Sequence, residues 1–175
     1  FTDDKLYSFS TQTPGLVDPD GVSLPGNPMN IAIAGDRIVV LDSTTPAIIV
    51  VDASNPGALA VEGSIPLPSS ASFLSSNNVL ISSDGRTGFV ASNERVLFSF
   101  DISGMTMLDP DGQSFGTTLY GGNIALKGTT VACVYSRGLS FIDVSNPSQM
   151  SPLSAADFGE VVAPQGSATV DFNPE

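Results

Sequence analysis

One pattern dominates this chain, returning every 42 to 50 residues. Three stretches carry it in full: Asn30 to Pro56, Asn78 to Gly104 and Asn123 to Pro147. Each reads as an apolar strand, a turn, a second apolar strand, a polar loop, and a third strand ending in Asp before another turn. The first strands are Asn30-Ile-Ala-Ile-Ala34, Asn78-Val-Leu-Ile-Ser82 and Asn123-Ile-Ala-Leu-Lys127. Two-residue hairpin turns are expected after them at Gly35-Asp36, Asp84-Gly85 and Lys127-Gly128, residues that tolerate positive φ. The second strands run Ile38 to Leu41, Gly88 to Ala91 and Val131 to Val134. The third run Ile48 to Asp52, Leu97 to Asp101 and Leu139 to Asp143. β-branched runs broken by Gly or Pro every dozen residues or fewer disfavour helix throughout.

Fourth strands are expected at Leu59 to Ile65, Met105 to Leu108 and Met150 to Ala155. The two inner strands lack polar alternation, as strands covered on both faces do. A repeat of this length in four strands specifies an all-β fold of propeller blades, each sheet burying its faces against its neighbours. The expected units are the end of a blade at 1–26, blades at 27–70, 71–119 and 120–160, and the first strand of a further blade at 161–175. Leu6 to Ser10 matches a third strand, Leu16 to Leu24 its fourth, and Ser167 to Phe172 a first strand. Such a count reads either as an incomplete four-bladed propeller or as a window on one of about six to eight blades, within the usual range for the fold. A start at Phe1 rather than Met suggests a processed or excised segment.

The charge balance narrows the partners. Eighteen acidic residues face six basic ones, a net charge of −12. A field of that sign repels nucleic acid and anionic lipid. No apolar run reaches the ~18 residues that span a bilayer. With no histidine, the usual Ser-His-Asp and Cys-His arrangements and most zinc sites are excluded. With no tryptophan, Tyr7, Tyr120 and Tyr135 are the remaining stacking platforms.

The segments Ile48 to Pro56 (IIVVDASNP) and Leu139 to Pro147 (LSFIDVSNP) resemble the LVIVD repeat family of bacterial surface and secreted β-propellers. Ser82 to Ser92 (SSDGRTGFVAS) is similar to the related YVTN-type repeat, although the first unit carries Gly35-Asp36 in place of Asp-Gly. The middle unit departs too, reading Asp101-Ile-Ser-Gly104 without Asn-Pro. The resemblance implies propeller architecture and an extracellular, cell-surface or periplasmic location. It implies no single activity, since one fold carries many functions.

Asn30, Asn78 and Asn123 open the innermost strands, where they either line the channel mouth as ligand contacts or satisfy local backbone. Loops Asp42 to Pro46, Ser92 to Arg95 and Tyr135 to Arg137 open on the same face, and their variable lengths suit binding. Arg95, Tyr135 and Arg137 are therefore candidate contacts; either arginine suits a carboxylate or phosphate, surface ion pairs being the simpler reading. Asp52, Asp101 and Asp143 read as Asx turns at the strand exits, with Ser10 in the same role. The Asp-Pro-Asp-Gly segments at 18–21 and 109–112 read as tight turns, with weak calcium binding the only cofactor they suggest. Cys133 aligns with Val40 and Val90 and reads as a buried hydrophobe. The leading expectation is a non-catalytic binding module completed by a protein partner or further blades. The alternative is a propeller-type hydrolase or lyase using carboxylates and a cation near the channel.

Overall fold

The computed structural model describes residues 4–12, 15–73, 79–116, 121–135 and 138–157. Among these there is strand and turn but no helix. Four short strands come first: β1 (Lys5–Leu6), β2 (Phe9–Ser10), β3 (Gly15–Leu16) and β4 (Val22–Ser23). Three antiparallel four-stranded sheets follow. The first holds β5 (Pro28–Ala34), β6 (Arg37–Asp42), β7 (Ala47–Asp52) and β8 (Ala60–Pro66) in that order. The second holds β9 (Val79–Ile81), β10 (Thr87–Ala91), β11 (Val96–Asp101) and β12 (Thr106–Ser114). The third holds β13 (Gly121–Lys127), β14 (Thr130–Tyr135), β15 (Gly138–Asp143) and β16 (Ser151–Asp157). Each is a simple meander, and β9 touches both β5 and β13, so the first strands lie side by side along the inside. The fold is a β-propeller type, with sheets as blades.

Burial explains why the inner strands lack polar alternation. Along β6, Ile38 and Val40 face one core while Val39 and Leu41 face another. Along β10, Val90 joins the core shared with the first blade, and Phe89 and Ala91 join the core shared with the third. Successive side chains of one strand thus enter two different interblade cores, which makes every position apolar. Cys133 lies in the second of these cores, where burial pushes its thiol pKa up, away from nucleophile chemistry.

Several expected details differ. Leu6 to Ser10 is two strands, not one: β1 pairs with β4 and β2 with β3. Between them the Ser8 hydroxyl accepts the Asp18 N–H at 3.1 Å and donates to the Pro56 carbonyl in the first blade. The 109–112 segment does not end a strand but forms a bulge inside β12, with Asp109 Oδ1 accepting the Gly112 N–H at 2.9 Å. Gly112 has φ 66 and no room for a side chain beside Val96 and Leu97, so the bulge depends on glycine there. The third hairpin turns at Gly128-Thr129, since Lys127 pairs with Thr130. The second hairpin has a longer loop, in which the Ser82 hydroxyl donates to Asp84 and accepts the Thr87 N–H.

One interblade contact repeats. In β11 the buried Ser99 donates to the Pro147 carbonyl at 2.5 Å, 48 residues away in the next blade. Ser8 makes the same bond to Pro56, at the same separation. Both acceptors belong to Ser-Asn-Pro exits, which Asn55 and Asn146 fold by accepting the Gly57 and Ser148 N–H groups. The corresponding residue of the first blade is Val50, two before Asp52, and the exit it would serve, in the second blade, has no Asn-Pro. There Met105 instead lies against Gly63 of β8, whose missing side chain leaves space for the thioether. Polar and apolar latches thus alternate between blades. Ser99→Ala is expected to cost about 0.5–1.5 kcal/mol, the net worth of one hydrogen bond, because it leaves the half-buried Pro147 carbonyl without its donor. Urea unfolding would measure this, and Val50→Ala at an apolar junction would leave the Ser148 amide, which adjoins the Pro147 carbonyl, unshifted in NMR spectra.

Candidate functional site: the loop rim

In each meander the first and third strands start, and the second and fourth end, at one edge of the sheet. That edge carries the loops between second and third strands and the connectors between blades. In the first two blades this loop is braced to the connector entering its own blade, and in the third the last residue of the second strand packs against that connector. In the first blade the buried Asp42 carboxylate accepts the Asn27 N–H at 2.9 Å and the Thr44 N–H at 2.8 Å. Gly26, at φ 82, lies so close to that carboxylate that no side chain fits. In the second, Glu94 accepts from the Ser72 N–H at 2.9 Å and the Ser72 hydroxyl at 2.5 Å, and the Asn93 N–H reaches the Ser72 carbonyl at 3.0 Å. Burial raises the Glu94 pKa, but these bonds from Ser72 outweigh it and hold the carboxyl below its ordinary value. In the third, the Tyr135 ring lies over Gly116 of the incoming connector, and its hydroxyl reaches the Ala156 carbonyl at 3.4 Å.

The expected contact residues separate by environment. Asn30 and Asn123 occupy matching places, each just after a bulge in the first strand and opposite Leu41 and Val134. Asn30 accepts the Val79 N–H at 3.3 Å and so ties β5 to β9, while Asn123 is 8% exposed. Tyr135 is 6% exposed, its ring engaged in packing. Asn78 and Arg137, with Tyr120 and the strand expected at Ser167 to Phe172, lie outside the described residues. Arg95 is the exception. It has φ 64 in the hairpin turn from β10 to β11, and its Nε and Nη1 are sealed from solvent with no hydrogen-bond partner. Among the described residues no surface ion pair forms there, whereas Arg37 pairs with Glu62 at 3.0 and 3.1 Å.

The recurrent aspartates lie at the opposite edge and act on their own backbone. Asp52, Asp101 and Asp143 accept the Ser54, Ser103 and Ser145 N–H groups at 2.8, 2.9 and 2.8 Å, and Ser10 accepts the Gln12 N–H at 3.3 Å. The bonds from Ser54 and Ser145 hold the Asp52 and Asp143 carboxyls below their ordinary values. Asp18 engages both carboxylate oxygens with backbone, accepting the Gly21 N–H at 3.0 Å and the Leu59 N–H at 3.1 Å. Among the described residues no three His, Cys, Asp or Glu side chains come together as a metal would require.

One feature without a sequence signal is an open groove of about 320 Å³ between the second and third blades. Ser114, Phe115 and Gly116 form one wall and Ser140, Ile142 and Leu153 the other. It begins beside the Arg95 turn, whose carbonyl accepts the Phe115 N–H at 2.8 Å. Such a groove arises from how two sheets meet, so residue spacing within either one does not reveal it.

The repeating sheets, the Asp exits and the Asn-Pro latches give the blade a recognisable identity. Residues 122–154 match the LVIVD repeat. That LVIVD repeat takes in nearly all of β13, then β14, β15 and the start of β16. Two solved structures are similar to the chain as a whole. Hydrazine synthase of Kuenenia stuttgartiensis superposes with a TM-score of 0.63 at 18% identity, covering 86% of this chain and 43% of that one. Hsv2 of Kluyveromyces lactis superposes with a TM-score of 0.58 at 10% identity, covering 78% of this chain and 49% of that one. The chain spans less than half the length of either, and the likeness shows the propeller fold. No curated protein matches the chain in sequence. No helix among the described residues is long and apolar enough to cross a membrane.

Proposed function

We propose that this chain is a non-catalytic binding module within a secreted or cell-surface β-propeller protein, engaging a partner through its loop rim. The observation that supports the reading is the bracing of two successive loops by Asp42 and Glu94, with Tyr135 packed on the connector of the third blade. A loop held to its own blade keeps its shape before a partner arrives, which lowers the ordering cost of association. The test is binding of the labelled chain to an array of glycans and acidic peptides. Thr45→Trp and Asn93→Trp at the loop rim are expected to weaken the strongest array signal about tenfold or more, as loss of central contacts does. Thr129→Trp at the opposite edge is expected to leave it unchanged. Equal loss from the opposite edge, or turnover of an arrayed compound, would overturn the reading.

The inner side of β5 supports further propeller strands as a second partner. Ile31 and Ile33 are 45% and 65% exposed. Val79 and Ile124, at the register position of Ile31 in β9 and β13, are each 2% exposed because the preceding blade covers them. Ile31 and Ile33 continue the core formed by Leu24, Ile38 and Val40, a surface shaped to receive two apolar antiparallel strands.

A further inference from the structure

We propose that Arg95 and Ser92 form an oxyanion-binding site on the loop rim, taking a carboxylate or phosphate group of the bound partner; this rests on the rim being the binding face. Two guanidinium donors of one hairpin turn, Arg95 Nε and Nη1, are sealed from solvent and meet no hydrogen-bond partner, and the buried Ser92 hydroxyl of the same turn faces only the Glu94 carboxylate. Buried donors left unpaired are rare and destabilising, and a guanidinium does not escape by losing its proton. The nearest carboxylate in sequence, Glu94, is turned to Ser72. In a chain with 18 acidic side chains, an arginine that forms no ion pair among the described residues is an arginine kept for another anion.

The backbone points the same way. The Ser92 N–H bonds to the Val96 carbonyl and the Arg95 N–H to the Ser92 carbonyl, closing a tight turn whose last position has φ 64. Glycine or asparagine suits that position, and arginine adopts it against its steric preference. Closing the loop does not need arginine. Pro46 fills the same place in the first blade, its carbonyl accepting the Leu67 N–H at 2.9 Å as the Arg95 carbonyl accepts that of Phe115 at 2.8 Å. A side chain that strains the turn and leaves its own donors unmatched suits a ligand better than the fold. Guanidinium N–H groups match carboxylate and phosphate oxygens in charge and geometry.

The test is NMR titration of the ¹⁵N-labelled chain with sodium phosphate and with sodium acetate, against sodium chloride at matched ionic strength. The Arg95 Nε–H and Ser92 amide resonances are expected to shift saturably with one oxyanion and not with chloride. Whichever oxyanion acts first assigns the group as phosphate or carboxylate. Arg95→Gly, which relieves the positive φ, is expected to keep or raise the Tm and abolish the shift. Arg95→Lys is expected to weaken it about tenfold, as loss of the planar donor set does. No shift with either oxyanion up to about 100 mM, far above what a site built for charge-assisted bonds requires, would overturn the proposal. So would a fall in Tm for Arg95→Gly, which would make the arginine structural. If the titration is silent while Thr45→Trp still weakens array binding, the oxyanion site alone fails; if both fail, the rim is not the binding face.

Discussion

Replacing Phe100 with alanine is expected to remove about 3–5 kcal/mol of folding stability, the range for deleting a fully buried aromatic side chain. Phe100 is completely buried in the core between the first and second blades, among Ile65, Val79, Val90 and Phe98. Its ring lies across Gly88, the residue directly opposite it on β10, and a side chain at Gly88 would run into the ring. Gly88→Ala is therefore expected to cost about 1–3 kcal/mol through overpacking. The two effects should not add. In Gly88→Ala/Phe100→Ala the new methyl enters space the ring has left, so the second substitution should cost little. Guanidinium unfolding of the four proteins gives the coupling, expected at about 1–3 kcal/mol for residues in direct contact. Simple additivity would show that the ring does not lie over the glycine.

Asp18→Ala is expected to be the next most damaging change, at about 2–4 kcal/mol, because it strands two backbone N–H groups that now meet a carboxylate. One is local, Gly21, and the other, Leu59, belongs to the approach to β8 in the first blade. Asp18 thereby joins the β1–β4 strands to that blade. Hydrogen exchange should locate the damage: amides at 4–12 and 15–24 should lose protection while β13–β16 keep theirs. Asp18→Asn keeps one acceptor oxygen and should lose roughly half as much, by the same per-bond cost. A uniform loss of protection across all three blades would mean that Asp18 supports the whole fold, not this one junction.

Asp18 also shows where sequence reasoning reaches its limit. Its Asp-Pro-Asp-Gly context was readable as a turn, and the bond to Gly21 is that turn. The bond to Leu59, 41 residues away, leaves no mark in local spacing. Asp109 has the same four residues around it, yet it forms a bulge within β12 because its neighbours pair with β11 on both sides. Asp52, Asp101 and Asp143 were legible because their acceptor geometry closes within two residues. Asn30 was legible as a strand opener, but not as the acceptor for Val79, 49 residues on. For Arg95 the sequence showed a scarce cation in a loop; its sealed, partnerless nitrogens depend on the packing around that loop.

By itself, the sequence determined the strands of the three full blades, their order within each blade, the Asp exits and the LVIVD-like repeat. All of these follow from interactions within a few residues or from burial on both faces of a strand. Only the tertiary structure decided which blade covers which, where Ser99 finds Pro147, and why Tyr135 is packed while Arg95 is left with open donors. The physical reason is range. Backbone turns and strand patterns are set by neighbours in the chain, but the desolvation of a guanidinium and the pairing of a buried hydroxyl are set by surfaces brought together only on folding.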